Sequence, residues 1–235
     1  MRTLYAIAVV ALWQYVGFAI AQVKPKIGEG ITADIIVSYD ANYSRKFENR
    51  TEGWNITEYF VNLTQMAQED FHNDDIMINF TVVKVEMKSD LLAFYPNGSV
   101  NGWSTLENMT RYALSQNASN KSIYCHASGF SIFGDYWDND QYRLTDMATN
   151  STFCRNVSAM LFIDFPGKSN YLPLVRGLGT TFGAANHFRF TEEDKEAMNK
   201  TFVNCQEMKK EQKKKKTRGK PGKNNEKKRK RQKKN

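Results

Sequence analysis

The chain has 235 residues, 33 Lys or Arg against 25 Asp or Glu, and a formal charge of +8. Three histidines (His72, His126, His187) and three cysteines without a C-x-x-C pair exclude a zinc finger on ligand count alone. The charge is unevenly placed. Glu207 to Asn235 holds sixteen Lys or Arg and three Glu, a net of +13, which leaves −5 on residues 1–206. An acidic body and a basic tail need separate explanations.

The first 21 residues read as a signal peptide. Arg2 supplies a positive start, Leu4 to Phe18 is apolar except near Gln14, and Ala19-Ile20-Ala21 is a small-x-small cleavage site, so the mature chain is expected to begin at Gln22. No later segment approaches ~20 apolar residues, so no span is expected in the mature chain. N-x-[ST] occurs at Asn42, Asn49, Asn55, Asn62, Asn79, Asn97, Asn108, Asn117, Asn120, Asn150, Asn156 and Asn199. Twelve such sites behind a signal peptide predict a secreted, extracellular glycoprotein, since each used site must be exposed.

Residues 22–206 are expected to form one domain, long enough for a real core. Ile31 to Asp40 predicts a strand, followed by a polar, glycosylated loop. Asn55 to Asn73 predicts an amphipathic helix with Phe60, Leu63, Ala67 and Phe71 on one face. Ile76 to Met87 predicts a strand whose alternation slips at Val82-Val83, the mark of a bulge. Ser104-x-x-Glu107 reads as a capping box opening a second helix. Ser122 to about Ile132 and Val157 to Phe165 predict strands. Leu174 to about Ala185 has helical spacing, and Thr191 opens a last helix expected to run to about Cys205. The order β, α, β, α, β, β, α, α predicts an α/β sandwich with a mixed sheet.

Residues 164–188 read DFPGKSNYLPLVRGLGTTFGAANHF. The window Arg176 to Asn186 has the spacing of the H-E-x-x-H-x-x-G-x-x-H helix and turn, with Leu178-Gly179 inside it and Phe182-Gly183 at the turn. On these positions the chain resembles the reprolysin-type metzincin metalloproteases. The Asp164-Phe165-Pro166-Gly167 stretch is similar to one that precedes this helix in the salivary reprolysin-like secreted metalloproteases of ticks. The resemblance covers roughly Ile31 to Cys205. It implies a metzincin-like (zincin) sandwich with a mixed twisted sheet, and a disulfide between Cys154 and Cys205. Pairing Cys125 with Cys154 instead would close a shorter loop; in the first case Cys125 is the odd thiol. The C-terminal subdomain is shortened, because only Arg189 and Phe190 separate Phe188 from Thr191, leaving no room for the family's methionine turn. Met198 then falls in the last helix as a core residue.

The departures carry the functional reading. The family's metal-ligand positions are held by Arg176, Thr180 and Asn186, and its general-base position by Gly177. Arginine stays protonated and has no lone pair to give. Thr and Asn are poor replacements for imidazole, and Gly177 cannot take a proton from water. The resemblance therefore implies a pseudo-metalloprotease with no cofactor, rather than an enzyme. One alternative is an active zinc metalloendopeptidase with atypical ligands. Another is a glycosaminoglycan-binding glycoprotein of unrelated fold, with 176–186 an ordinary buried helix ending in glycine.

The tail, 207–235, is expected to be disordered: it has no aromatic residue, and Pro221 with two glycines interrupts any long helix. Its cations are Lys209, Lys210, Lys213, Lys214, Lys215, Lys216, Arg218, Lys220, Lys223, Lys227, Lys228, Arg229, Lys230, Arg231, Lys233 and Lys234. Behind a signal peptide, nucleic acid is not the expected partner. Sulfated glycosaminoglycan or an anionic phospholipid surface is, alongside an extracellular protein partner for the body; the bland reading is a solvating tail.

Overall fold

The computed structural model describes residues 26–135, 141–185 and 189–218. The chain enters strand β1 (Thr32–Tyr39), whose Ile35, Ile36 and Val37 are buried. Helix α1 (Ala41–Arg50) follows at once where a loop was expected. Asp40 caps it by accepting the Tyr43 N–H, and Tyr43 and Phe47, one turn apart, are its buried residues. Two apolar positions in ten residues are too few to register as a periodic face, so the helix is held by its cap and two aromatic anchors.

Helix α2 (Ile56–Asn73) is capped by Asn55, whose side-chain oxygen accepts the N–H groups of Thr57 and Glu58. It buries Tyr59, Phe60, Leu63, Ala67 and Phe71. Strand β2 (Asn79–Met87) runs parallel to β1 and carries the expected bulge: Ile35 faces Val82 but Ile36 faces Lys84, so Val83 is skipped. Val83 and Met87 are exposed, and the apolar face resumes at Val85 alone.

A 3-10 turn (Ser89–Leu91) and strand β3 (Val100–Asn101) lead into helix α3 (Gly102–Ser115). Its cap is Asn101, not Ser104, whose backbone N–H donates to the Asn101 side chain. The predicted face is correct: Leu106, Met109 and Ala113 are buried.

Strand β4 (Ser122–Ser128) stops at Gly129, and β5 (Ile132–Asp135) continues in a second sheet, so the single long strand expected here is two. Gly129 makes the break. A Cβ there would sit 2.3 Å from the Tyr43 backbone nitrogen, so only glycine lets β4 meet the start of α1. Strands β6 (Gln141–Leu144) and β7 (Asp146–Ala148) precede β8 (Ser158–Ile163), all six residues of which are buried. Helix α4 (Leu172–Phe182) and helix α5 (Glu192–Arg218) complete the chain.

The main sheet has order β2-β1-β4-β8-β7; β2, β1, β4 and β8 are parallel and β7 is antiparallel to β8. A smaller sheet, β3-β5-β6, stands apart. Residues alternate between two cores across the main sheet. Ile123, Cys125, Met160 and Phe162 face α1, α2, α4 and α5, whereas Ala159, Leu161 and Ile163 face α3 and β5. The architecture is thus α/β with a mixed sheet covered on both faces, which is why β8 reads as a continuous apolar run.

Cys154 and Cys205 form a disulfide that ties α5 to the β7–β8 connection, and Cys125 is a buried free thiol. Helix α5 does not end at Cys205 but continues thirteen residues to Arg218, so residues 207–218 are helical rather than disordered. The sequence there is Lys, Glu and Gln, good helix formers, with no breaker before Gly219. Residues 219–235 and 1–25, where the signal peptide was expected, lie outside the described residues. Among the described residues, no helix is long and apolar enough to cross a membrane.

Candidate functional site

Helix α4 packs on β8 through Leu174, Leu178 and Phe182. Its three glycines each have a local cause. A Cβ on Gly177 would lie 2.2 Å from the Met160 methyl, and one on Gly179 would lie 2.7 Å from the Phe190 ring. Gly183 ends the helix at φ 109°, a left-handed conformation that favours glycine. A side chain at 177 would therefore have to push aside the end of Met160, and one at 179 the ring of Phe190.

Arg176 and Thr180 are one turn apart on α4. The Arg176 guanidinium leans onto the edge strand: Nε donates to Asp146 Oδ1 at 2.9 Å, and Nη2 donates to Thr145 Oγ1 at 2.6 Å. The pair is mostly shielded, with side chains 20% and 10% exposed. Thr180 Oγ1 donates back to the Arg176 carbonyl at 3.0 Å. Asn186 and His187 lie outside the described residues. These residues do not fit zinc. A guanidinium offers a metal no lone pair. Asp146, the nearby carboxylate, is already neutralised by it. Among the described residues, no group of three His, Cys, Asp or Glu is placed to hold a metal ion.

The other two histidines serve the fold. His72 Nε2 donates to the Ile78 carbonyl at 2.9 Å. His126 is fully buried on β4, while its neighbour Cys125 faces the opposite core, where burial pushes its thiol far above the usual range. Cys125 and His126 therefore do not pair, as strand alternation requires.

A polar centre that sequence reasoning missed lies at the carboxyl ends of β1, β4 and β8. Ser38 Oγ lies 2.8 Å from His126 Nδ1, and His126 Nε2 lies 3.8 Å from Asp40 Oδ2. Asp40 also accepts the N–H groups of Tyr43 and Gly129, each at 2.8 Å. These are the residue types of a hydrolytic triad, but Ser38, His126 and Asp40 are 5%, 0% and 1% exposed. No substrate reaches them, and 3.8 Å is too long for the carboxylate to orient the ring. Nearby, Asp164 Oδ2 accepts from Tyr43 at 2.6 Å and Tyr59 at 2.9 Å, fastening α1 and α2 to the end of β8.

The two carboxyls are shifted in opposite directions. Burial would raise Asp40, but the neighbouring His126 and the two backbone N–H groups outweigh it and hold the pKa below the ordinary value. At Asp164 burial wins over both tyrosine hydroxyls, and the pKa is raised. The only sequence signal was an acid closing each apolar strand, at Asp40 and Asp164; nothing in spacing joins them.

A cleft of about 430 Å³ opens beside this centre, lined by Gly53, Trp54, Asn55, Glu58, Tyr59, Asn62, Leu63, Met66 and Ser169. Two of these residues, Asn55 and Asn62, are sequon asparagines. None of the twelve sequon asparagines is buried: ten are exposed, and Asn42 and Asn108 are half-buried. Of the sixteen tail cations, the seven from Lys209 to Arg218 lie on the continuation of α5.

No family model and no curated protein matches the chain. Among solved structures, one similar chain is metalloproteinase-II from Bacteroides fragilis, at 12% identity and a TM-score of 0.45, over 76% of this chain and 55% of that one. A second, from a chaperone–substrate complex, has 8% identity and a TM-score of 0.44, over 68% of this chain and 25% of that one. The chain thus spans about half and a quarter of these two structures.

Proposed function

We propose that the protein is a secreted glycoprotein on a metzincin-like scaffold that binds rather than cleaves, and whose basic C-terminus holds it on extracellular polyanions. The observation that carries the first half is the Arg176–Asp146 pair. It puts a guanidinium on the α4 face where the resembling family needs an electron-pair donor, and it engages the carboxylate of Asp146. Gly177 adds that no base can enter at the next position without displacing Met160. Activating water by a metal requires both a held ion and a proton acceptor. The second half rests on the partition of charge, −5 on residues 1–206 and +13 beyond.

The test uses the full chain purified from a secretory host. Metal content and cleavage of casein and fibrinogen are measured with and without chelator, and retention on immobilised heparin is measured against salt. The reading expects sub-stoichiometric metal, no chelator-sensitive cleavage, and salt-reversible retention that depends on residues 207–235. One tightly held zinc per chain with chelator-sensitive cleavage would overturn it in favour of an active metalloendopeptidase.

A further inference from the structure

The cleft on α2 has an unusual wall. Asn55 and Asn62 stand seven residues apart, two helical turns, so they share one face and are separated by about 10 Å along the axis. Both are exposed and both head N-x-T sequences. At the end beyond Asn55 stands Trp54, a large aromatic ring left 55% exposed. Between the two asparagines lie Glu58 and the Tyr59 ring, with Met66 and Ser169 also lining the cleft.

We propose that this cleft is filled by the chain's own N-linked glycan on Asn62, its core sugars lying along α2 toward Trp54. Helical side chains lean toward the N-terminus of their helix, so the Asn62 amide aims toward Asn55 and Trp54 rather than away. A pyranose has an apolar C–H face, which suits the electron-rich face of an indole, and an edge of hydroxyls, which suits Glu58 and Ser169. A covalently attached sugar is present at high effective concentration and so excludes a free ligand from the same space. The Asn55 site does not compete with the fold either. Its oxygen caps α2, whereas a sugar would be carried by its nitrogen. This inference rests on the secretory reading above.

The test is glycopeptide mass spectrometry on the full chain from a secretory host, with release by peptide:N-glycosidase under native conditions. Asn117 and Asn120, exposed in the α3–β4 connection, serve as references. The Asn62 glycan is expected to be occupied and released about tenfold more slowly than the references, as a sugar that must first lift from its bed would be. Trp54→Ala should bring its rate up to theirs. Trp54→Leu, apolar but ringless, repeats the comparison if the alanine variant loses its cooperative melt. Equal rates in the unmodified sequence, a slow rate that neither variant changes, or an empty Asn62 on a chain glycosylated elsewhere would each overturn the proposal while leaving the secretory reading intact. A chain bearing no sugar at any sequon would overturn that reading itself.

Discussion

Arg176 on α4 and Asp146 on β7 are joined at 2.9 Å across the seam between the helix and the antiparallel edge strand. The contact does two things. It fixes the helix against the last strand of the sheet, and it leaves a positive charge on the partly exposed side of α4. Arg176→Ala should cost about 2 kcal/mol, the range for a hydrogen bond to a charged group, because Asp146 keeps its burial and loses its partner. Asp146→Ala in the same background should cost much less than it does alone. Chemical denaturation of the two single variants and the double variant measures this coupling.

Installing the zinc-protease motif on α4 should not create zinc-dependent cleavage. Arg176→His, Gly177→Glu, Thr180→His and Asn186→His together place a glutamate against Met160, which already touches the Cβ position of residue 177. Gly177→Ala alone tests the packing. Helix propensity favours alanine by ~1 kcal/mol, whereas overpacking costs ~1–3 kcal/mol, so the variant should be destabilised. Gly177→Ala with Met160→Ala should be more stable than the sum of the two single effects predicts. A fully stable Gly177→Ala protein would show that the Met160 side chain can turn away from the added methyl.

These two effects also show what was legible in the sequence. The glycines of α4 stood out as costly, but their reason is contact with Met160 and Phe190, which no local pattern encodes. Strand β8 and helix α2 were readable because burial sets their whole pattern: all of β8 is inside, and one face of α2 is. Helix α1 was not, since only Tyr43 and Phe47 turn inward. Strands β3, β5, β6 and β7 are two to four residues long and exist through pairing with distant partners. At α3 two capping residues competed, and Asn101 holds the cap while Ser104 supplies the N–H. Asp40 and Asp164 both bond to Tyr43, through its N–H and its hydroxyl, because the parallel strands β1 and β8 end on the same side of the sheet.

Asp164 should make stability fall as pH rises. Its folded pKa is raised by burial, so its contribution is fully present below the unfolded value of about 4 and is lost as pH rises through the folded value. Asp164→Asn keeps an oxygen to accept from Tyr43 and Tyr59 and carries no charge. Its melting temperature should equal that of the parent in acid and exceed it increasingly toward neutral pH. Asp40 is the opposite case: its pKa is lowered, so its contribution is present above about 4 and fades as pH falls through the folded value. Asp40→Asn should therefore be least stable relative to the parent at neutral pH. Parallel thermal melts across pH check both signs, and the same slope for both variants would contradict the assignment.

Opening the disulfide should loosen α5 along with the β7–β8 connection. The bond joins residues 51 apart in sequence. In the chain-entropy model a loop of that length contributes about 4 kcal/mol, so Cys154→Ala with Cys205→Ala should lower the free energy of unfolding by roughly that amount. The buried Cys125 thiol should remain unreactive in the native protein and become titratable only on unfolding. Thiol counting with and without denaturant reads this directly.

The division of the tail cations between helix and terminus predicts a graded response. Truncation after Arg218 removes nine of the sixteen cations and leaves the seven carried on α5. Truncation after Gln206 removes them all and returns the chain to its acidic body. If polyanion contact is a sum of screened charges, each near an anionic surface worth ~1 kcal/mol or less, the first truncation should lower the salt needed to elute from heparin and the second should abolish retention at physiological salt. The two truncated proteins should keep the melting temperature of the full chain, since Cys205 and its disulfide precede both cuts. Undiminished retention after the second cut would place polyanion binding on the body, whose net charge opposes it, and would detach the tail from the proposed function.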